Sequence, residues 1–432
     1  MADSAEGQPA ARIVEPQAGV RILGSGFQPS LGGARPTMLA EARLPRRLIA
    51  WAFVAMALDI GVARISFGTV LPALRRDLDL TFFAGGALSA ANLAAYLAGT
   101  LLAPYFGRYA SMSALARWGH VVFAFGALAN GLANDIPTLA IGRVLTGLGA
   151  GVGLLALFVV VFERTRPDLR PVVSAAVWAG IGTAIIASGL SAPFLLHEPG
   201  DWRWAFCLPA LLALLVAWEV GRGHRTGTTA GRPRQGHTDP TSPASRSWPS
   251  WLGLFGAYFM FGVGYIAYST FVGGRLAQAN APMATVVASW VTLGLGSIAG
   301  SILGAAILWS RTWKPFALIL ASIAGAAGSA AAIAPGGIAP LTGALLVGLG
   351  LASTPAIVTA YVRERTSDAA YARLFSLATA SLGVGQLVGP VIAGALADGV
   401  GPDAVMVFAS AAYAIGAVCA VADMLTVRAN PA

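Results

Sequence analysis

Residues 136–165 read IPTLAIGRVLTGLGAGVGLLALFVVVFERT, and residues 337–366 read GIAPLTGALLVGLGLASTPAIVTAYVRERT. Each is an apolar run long enough to cross a hydrocarbon core, which takes about 20 helical residues. A gap-free shift of 201 residues lays the first on the second. Gly147, Leu148 and Gly149 fall on Gly348, Leu349 and Gly350; Val161, Glu163, Arg164 and Thr165 fall on Val362, Glu364, Arg365 and Thr366. Glycines and leucines coincide by chance in such a composition, but a polar Glu-Arg-Thr does so far less readily. The same shift carries Gly61, Val62, Ile65 and Thr69 onto Gly262, Val263, Ile266 and Thr270. It also carries Ala98 and Gly99 onto Ala299 and Gly300, and Gly182 onto Gly383. The chain is read as two parallel copies of one unit.

Working outward from these runs, 56% of the 432 residues are hydrophobic and only 11% are charged. A soluble chain of this length needs more charge to cover its surface. The 53 glycines suit helices that pack closely in lipid. Six apolar stretches lie near 48–74, 82–103, 115–133, 136–161, 172–196 and 203–220, and six more near 251–272, 285–308, 315–333, 338–362, 374–397 and 403–426. The expected fold is an all-α polytopic membrane protein with 12 transmembrane helices in two parallel six-helix repeats. The domain reading is a polar tail over 1–44, a six-helix bundle over 45–220, a linker over 221–250 and a second bundle over 251–427. Gly, Pro, Ser and Thr give the linker no helical period, and the tail lacks the apolar core of a signal peptide.

Charge sets the orientation. With both termini cytoplasmic, the inner segments hold 19 Arg and Lys residues and the outer loops only Arg75, Arg76, Arg203 and Arg275. That asymmetry obeys the positive-inside rule. The net charge of +9 therefore reads as loop charge that fixes topology, not as a nucleic-acid surface. Cys207 and Cys419 fall inside apolar spans without metal-ligand spacing, so no metal and no cofactor is expected.

Local motifs carry a resemblance. Arg143-Val-Leu-Thr-Gly147-Leu-Gly149-Ala-Gly151, Asp201-Trp202-Arg203-Trp204-Ala-Phe206 and Gly383-Val-Gly385-Gln386-Leu-Val-Gly389-Pro390 stand in spans four, six and eleven. With six plus six spans and a basic central loop, they resemble the major facilitator superfamily (MFS) over residues 45–427, in a little-characterised bacterial branch. The resemblance implies a secondary transporter that works by alternating access. For Arg143 it implies a part in proton coupling or gating. Between spans two and three Ala103 stands where the family carries Asp, so the cytoplasmic charge latch found there lacks its acid.

Three charges sit deep in spans: Asp59, Arg64 and Arg143. A charge at membrane depth is costly and marks a pathway more often than not. Both Arg lie about 10–15 Å below the outer surface at 1.5 Å of rise per residue, where they could draw in an anion, and a guanidinium fork suits carboxylate or phosphate. Asp59 is the one deep carboxylate and the candidate proton carrier; the bland alternative is a static pair with an Arg. Asp59 and Arg64 are five residues apart, about 140° around an α-helix, so no shared face is expected. Asn92 and Tyr96 of span two, Tyr265 and Tyr268 of span seven, and Gln386 of span eleven are the candidate polar lining, with Tyr258 on the same stripe. For the Tyr stripe and for His120 of span three, simple helix packing is the competing reading.

The expectation is proton-coupled transport of a small organic anion by a monomer in a bacterial cytoplasmic membrane. Its partners are that substrate, protons and the lipid bilayer, with no nucleic acid. Efflux of amphipathic drug-like compounds is the alternative within the class, although two deep Arg disfavour cations. A membrane-embedded enzyme would need a cluster of His, Cys or carboxylates at one depth, and Asp59 alone does not supply one. No Gly-Lys-Ser/Thr phosphate loop suggests ATP-driven pumping.

Overall fold

The computed structural model describes residues 45–166, 169–222, 251–307, 313–334, 336–366 and 368–429. The expected tail over 1–44, and the linker apart from Gly221 and Arg222, lie outside the described residues.

The described chain is helical throughout. α1 (Arg46–Met56) runs into a π-helical segment (Ala57–Ile65) and on into α2 (Phe67–Leu78). The first repeat continues through α3 (Phe82–Phe106), α4 (Met112–Leu132), α5 (Ile136–Glu163), α6 (Arg170–Leu195) and α7 (Trp204–Arg222), with a single 3₁₀ turn at Asp201–Arg203 before α7. The second repeat holds α8 (Leu252–Gln278), α9 (Met283–Ile307), α10 (Lys314–Ala331), α11 (Ala339–Glu364), α12 (Asp368–Gly399) and α13 (Pro402–Ala429). Among the described residues 12 helices are long and apolar enough to cross a membrane, as expected. Helices α3, α4 and α5 start on Thr81, Ser111 and Asp135, whose side-chain oxygens accept the N–H of Ala84, Ala114 and Thr138. These caps satisfy donors that a helix start leaves orphaned. Large apolar side chains point outward, among them Leu101, Phe194 and Val418, as a lipid-facing belt requires.

Short loops alternate the helix directions. One end of the bundle, the linker end, carries Arg222 and Trp251; the opposite, far end carries Asp79, Asn134 and Val400.

The 201-residue repeat is visible in the packing. A Cβ on Gly147 would meet Asn92 and Ala95 of α3, and one on its mate Gly348 would meet Leu293 and Gly296 of α9. Gly61 sits against Ile181 and Ala184 of α6, and Gly262 against Leu382 and Gln386 of α12. Thr165 and Thr366 both turn their hydroxyls back onto the carbonyl four residues earlier, at 2.7 and 2.8 Å. One pair crosses between repeats: Gly182 meets Gly294 and Ile298 of the second, whereas Gly383 meets Leu97 of the first. That exchange of partners is what a two-fold relation demands.

The far end is closed between repeats by a specific contact. Asp398, at the end of α12, accepts the backbone N–H groups of Phe82 and Phe83, each at 2.8 Å. These are orphan donors at the start of α3, where the helix dipole also favours a negative charge. Arg75 lies over the Phe82 ring at 3.2 Å.

Candidate functional site

The site begins with the π-helical segment, ALDIGVARI, which carries both Asp59 and Arg64. Its winding closes hydrogen bonds between residues five apart, as in Ser66 N–H to Gly61 O at 2.8 Å. Residues i and i+5 therefore stand one turn above another. This corrects the expectation from α-helical geometry: Asp59 and Arg64 share a face. Such π turns are rare and recur at functional sites.

Asp59 is 1% exposed and His120 of α4 is fully buried. His120 Nε2 lies 3.3 Å from Asp59 Oδ2. On the other side of the ring, Nδ1 is 2.7 Å from the Ala116 carbonyl. His120 is thus more than a packed ring. Its signal in the sequence was depth, since it and Asp59 both lie in the first half of spans entered from the linker end.

Arg64 is 5% exposed, and its guanidinium carbon stands 4.1 Å from the centre of the Tyr96 ring. The Tyr96 and Tyr265 hydroxyls lie near it and interact with its charge. Its Nε and Nη2 atoms hydrogen-bond nothing among the described residues. Tyr96 belongs to the first repeat and Tyr265 to the second, so Arg64 sits at the seam.

Arg143 is 1% exposed and grips backbone. Its Nη1 donates to Ala63 O at 2.6 Å and its Nε to Leu88 O at 3.4 Å, while the guanidinium lies 4.2 Å over the Phe67 ring. It ties α5 to the π segment and to α3; its Nη2 makes no hydrogen bond among the described residues. Asn92 spends its amide on the Arg143 carbonyl and Thr146 Oγ1, at 2.9 and 3.0 Å. These two residues brace the first repeat beside Arg64.

The second repeat supplies an aromatic wall. Tyr258 stacks on Phe261 at 6.1 Å, Phe261 on Tyr265 at 5.0 Å, and Tyr413 meets Phe261 edge-on at 6.2 Å. Gln386 donates to the Tyr265 hydroxyl at 2.5 Å. The hydroxyls of Tyr268 and Tyr413 have no hydrogen-bond partner among the described residues. Tyr413, which the sequence reading did not name, sits in α13 and packs against Gly264 and Gly325. Arg64, Tyr268 and Gln386 are between 1 and 6% exposed, so the seam is shut around them.

A separate open pocket of about 620 Å³ lies at the far end of the first repeat, beside Arg76, Asp77, Asn134 and Arg203. Its charges already have partners. Arg203 donates to the Gly131 and Ala133 carbonyls and to Asn134, and Asp77 accepts from Gly200 N–H and Trp202 Nε1. No His, Cys, Asp or Glu group among the described residues clusters as a metal site.

Residues 56–423 match a family profile described as uncharacterised MFS-type transporter YbfB. The uncharacterized transporter YycB of Bacillus subtilis (strain 168) is 23% identical over 353 residues, 80% of this chain and 85% of that protein. Sugar transport protein MST8 of Oryza sativa subsp. japonica is 31% identical over 140 residues, which is 32% of this chain but only 26% of the rice protein. Other plant sugar carriers match over a similar quarter of their length. The solved nucleoside transporter NupG superposes with a TM-score of 0.69 at 13% identity, covering 89% of this chain and 99% of that one. A bacterial homologue of the lysosomal transporter Spinster, inward-facing and occupied, gives 0.66 at 15% identity, covering 90% and 99%. At such identities the structural likeness speaks for the fold alone.

Proposed function

The chain belongs to the family of MFS-type transporters typified by the uncharacterised YbfB and is a multi-pass secondary transporter; we propose that it carries a small organic anion and is driven by protons. One observation supports this reading above the others. Arg64 lies at the seam between repeats with two buried nitrogens that hydrogen-bond nothing among the described residues. A guanidinium buried in this way is costly unless a partner arrives, and its fork fits a carboxylate edge-on. The aromatic wall opposite suits a cargo with an apolar body. Asp59, one π turn from Arg64, is the proton carrier, with Arg143 as the brace that holds the π segment to α5.

The seam is closed around these residues, so cargo enters only when the repeats part at one end, by rocking of the bundles 45–220 and 251–427 about a central site. The protein works as a monomer in a bacterial cytoplasmic membrane with both termini cytoplasmic, which makes the linker end the inner one.

The test is a panel. Purified protein is reconstituted in liposomes enclosing a pH-sensitive dye, and organic acids, hexoses, nucleosides and lipophilic cations are offered in turn. Proton movement with one or more acids, and with none of the rest, supports the anion reading. Movement with a hexose, a nucleoside or a cation, and with no acid, overturns it.

A further inference from the structure

His120 Nδ1 stands 2.7 Å from the Ala116 carbonyl, which can only accept. Nδ1 therefore carries a hydrogen, and in the neutral ring Nε2 is a bare acceptor. That acceptor lies 3.3 Å from Asp59 Oδ2 and the two atoms form no hydrogen bond as they stand, with both side chains sealed from solvent. Neither oxygen of Asp59 has a hydrogen-bond donor from any other described residue. A charged carboxylate against a bare lone pair, in a site sealed from solvent, sets two acceptors side by side at low dielectric. One added proton resolves the clash, on Oδ2 pointing to Nε2 or on Nε2 pointing to Oδ2.

The other groups that face this pair are few. Arg64 is one π turn from Asp59 and is its nearest free counter-charge. Tyr96 of α3 and Tyr265 of α8 are neutral hydroxyls near Arg64. Arg143 of α5 is held on the Ala63 and Leu88 carbonyls and adds a constant charge. Helix α6 has no ionisable side chain beyond Arg170, and those of α7, Cys207, Glu219 and Arg222, lie toward its ends.

We propose that Asp59 and His120 form a one-proton site and that Arg64 couples it to the cargo, so that proton and anion travel together. The coupling clause rests on the anion reading above; the one-proton site does not. Charge arithmetic gives the rule. In the empty carrier Asp59 is a carboxylate, His120 is neutral and Arg64 is a cation, so the three sum to zero. With one proton on the dyad and a monoanion on Arg64 they again sum to zero. A proton alone leaves one positive charge in excess, and an anion alone leaves one negative. Excess charge at membrane depth is costly, so the empty and the fully loaded forms are the ones that cross. An anion on Arg64 also removes the counter-charge that a bare Asp59 would turn to, which retains the proton. The mode is symport, with no net charge moved for a monoanion. On release the proton goes to water at the open end, and Asp59 turns to Arg64.

The proton site is tested without any cargo, by following His120 through its ring-nitrogen NMR signals in the full chain. His197, His224 and His237 are replaced by Gln so that one histidine remains. In the wild-type background the account expects a hydrogen on Nδ1 throughout, and a shared proton at Nε2 near neutral pH that leaves in one step as pH rises. Asp59→Asn abolishes that step and leaves a neutral ring with a bare Nε2. Asp59→Glu restores it, which separates loss of the acid from loss of the fold. Arg64→Gln holds the shared proton where the wild type has released it. An Nε2 signal with the same pH profile in wild type and Asp59→Asn overturns the dyad. A profile unchanged by Arg64→Gln overturns the coupling. A cargo panel in which no acid moves overturns the anion reading and leaves the histidine result intact, so the two failures are told apart.

Discussion

Arg64 and Tyr265 are mates in the 201-residue repeat, and the Tyr265 hydroxyl lies close enough to the Arg64 guanidinium to feel its charge. Two positions related by a two-fold can approach each other only near its axis. The contact therefore locates Arg64 on the relation that joins the repeats, where parallel-repeat transporters place their site. The repeats have diverged at this pair, one copy keeping a cation and the other a hydroxyl on an aromatic ring, so the wall is charged on one side and apolar on the other.

Tyr265→Phe keeps the ring and removes the hydroxyl. A hydrogen bond from this hydroxyl to the carboxylate of the cargo, a charged group, is worth about 1.5–3 kcal/mol. The substitution is expected to raise the KM for a transported acid roughly tenfold or more, since 1.4 kcal/mol is a factor of ten. The maximal rate should change little. Initial-rate measurements over a range of acid concentration check this; an unchanged KM contradicts a role at the site.

The shift also predicts matched sensitivity. Gly147 faces α3 and Gly348 faces α9 in equivalent ways. Gly147→Leu and Gly348→Leu should each force neighbouring backbone apart and cost more than about 3 kcal/mol, as severe overpacking does. Both should strongly reduce folded yield and melting temperature in detergent. A severe effect at one and none at the other contradicts the repeat as the organising principle.

Asp398 holds the start of α3 from across the seam. Losing such a cap costs about 1 kcal/mol, enough to shift a conformational equilibrium about fivefold. Spin labels at the exposed positions Arg76 and Val400, one in each repeat, should show a larger long-distance population in Asp398→Ala. An unchanged distance distribution contradicts the closing role.

Acid should loosen the far end of the first repeat. Burial pushes the pKa of Asp77 up, but hydrogen bonds from Arg76, Gly200 and Trp202 bring it down by more, to below the ordinary 3.8. Stability from this carboxylate is complete above the unfolded value and is lost as pH falls through the folded one. The melting temperature should fall below about pH 4, and fall less in Asp77→Asn, whose baseline is already lower. Parallel acid profiles for the two proteins contradict the assignment.

Membrane potential gives a further check. If proton and monoanion cross together, a pH gradient should drive accumulation of a transported monocarboxylate, while a potassium-diffusion potential at equal pH should not. A response to voltage of the size expected for one elementary charge, about 2.3 kcal/mol per 100 mV, contradicts the pairing.

Most of the fold was legible because membrane depth permits so few solutions. An apolar stretch of span length must be a helix, and Glu163-Arg164-Thr165 returning as Glu364-Arg365-Thr366 disclosed the repeat. The deep charges Asp59, Arg64 and Arg143 were legible for the same reason, since a charge there is conspicuous. Their relationships were not. The π turn that brings Asp59 and Arg64 onto one face holds Gly61 against α6, and nothing local in ALDIGVARI announces it. His120 looked like a packing residue because its partner is 61 positions away in sequence. For Arg143 the sequence left substrate contact and coupling equally open, and that its Nη1 and Nε reach the Ala63 and Leu88 carbonyls depends on residues 80 and 55 positions away.

The most direct test of the central claim is acid-dependent proton flux in dye-loaded liposomes, compared between wild type and Arg64→Gln. Gln is shorter but keeps a polar, hydrogen-bonding head on a flexible stem and removes the charge. The account predicts that the wild type moves protons with at least one organic acid, and that Arg64→Gln loses that flux by a hundredfold or so, the weight of about 3 kcal/mol for an uncompensated buried charge. Equal acid-driven flux in the two proteins would show that Arg64 does not carry the anion, and the account would fail.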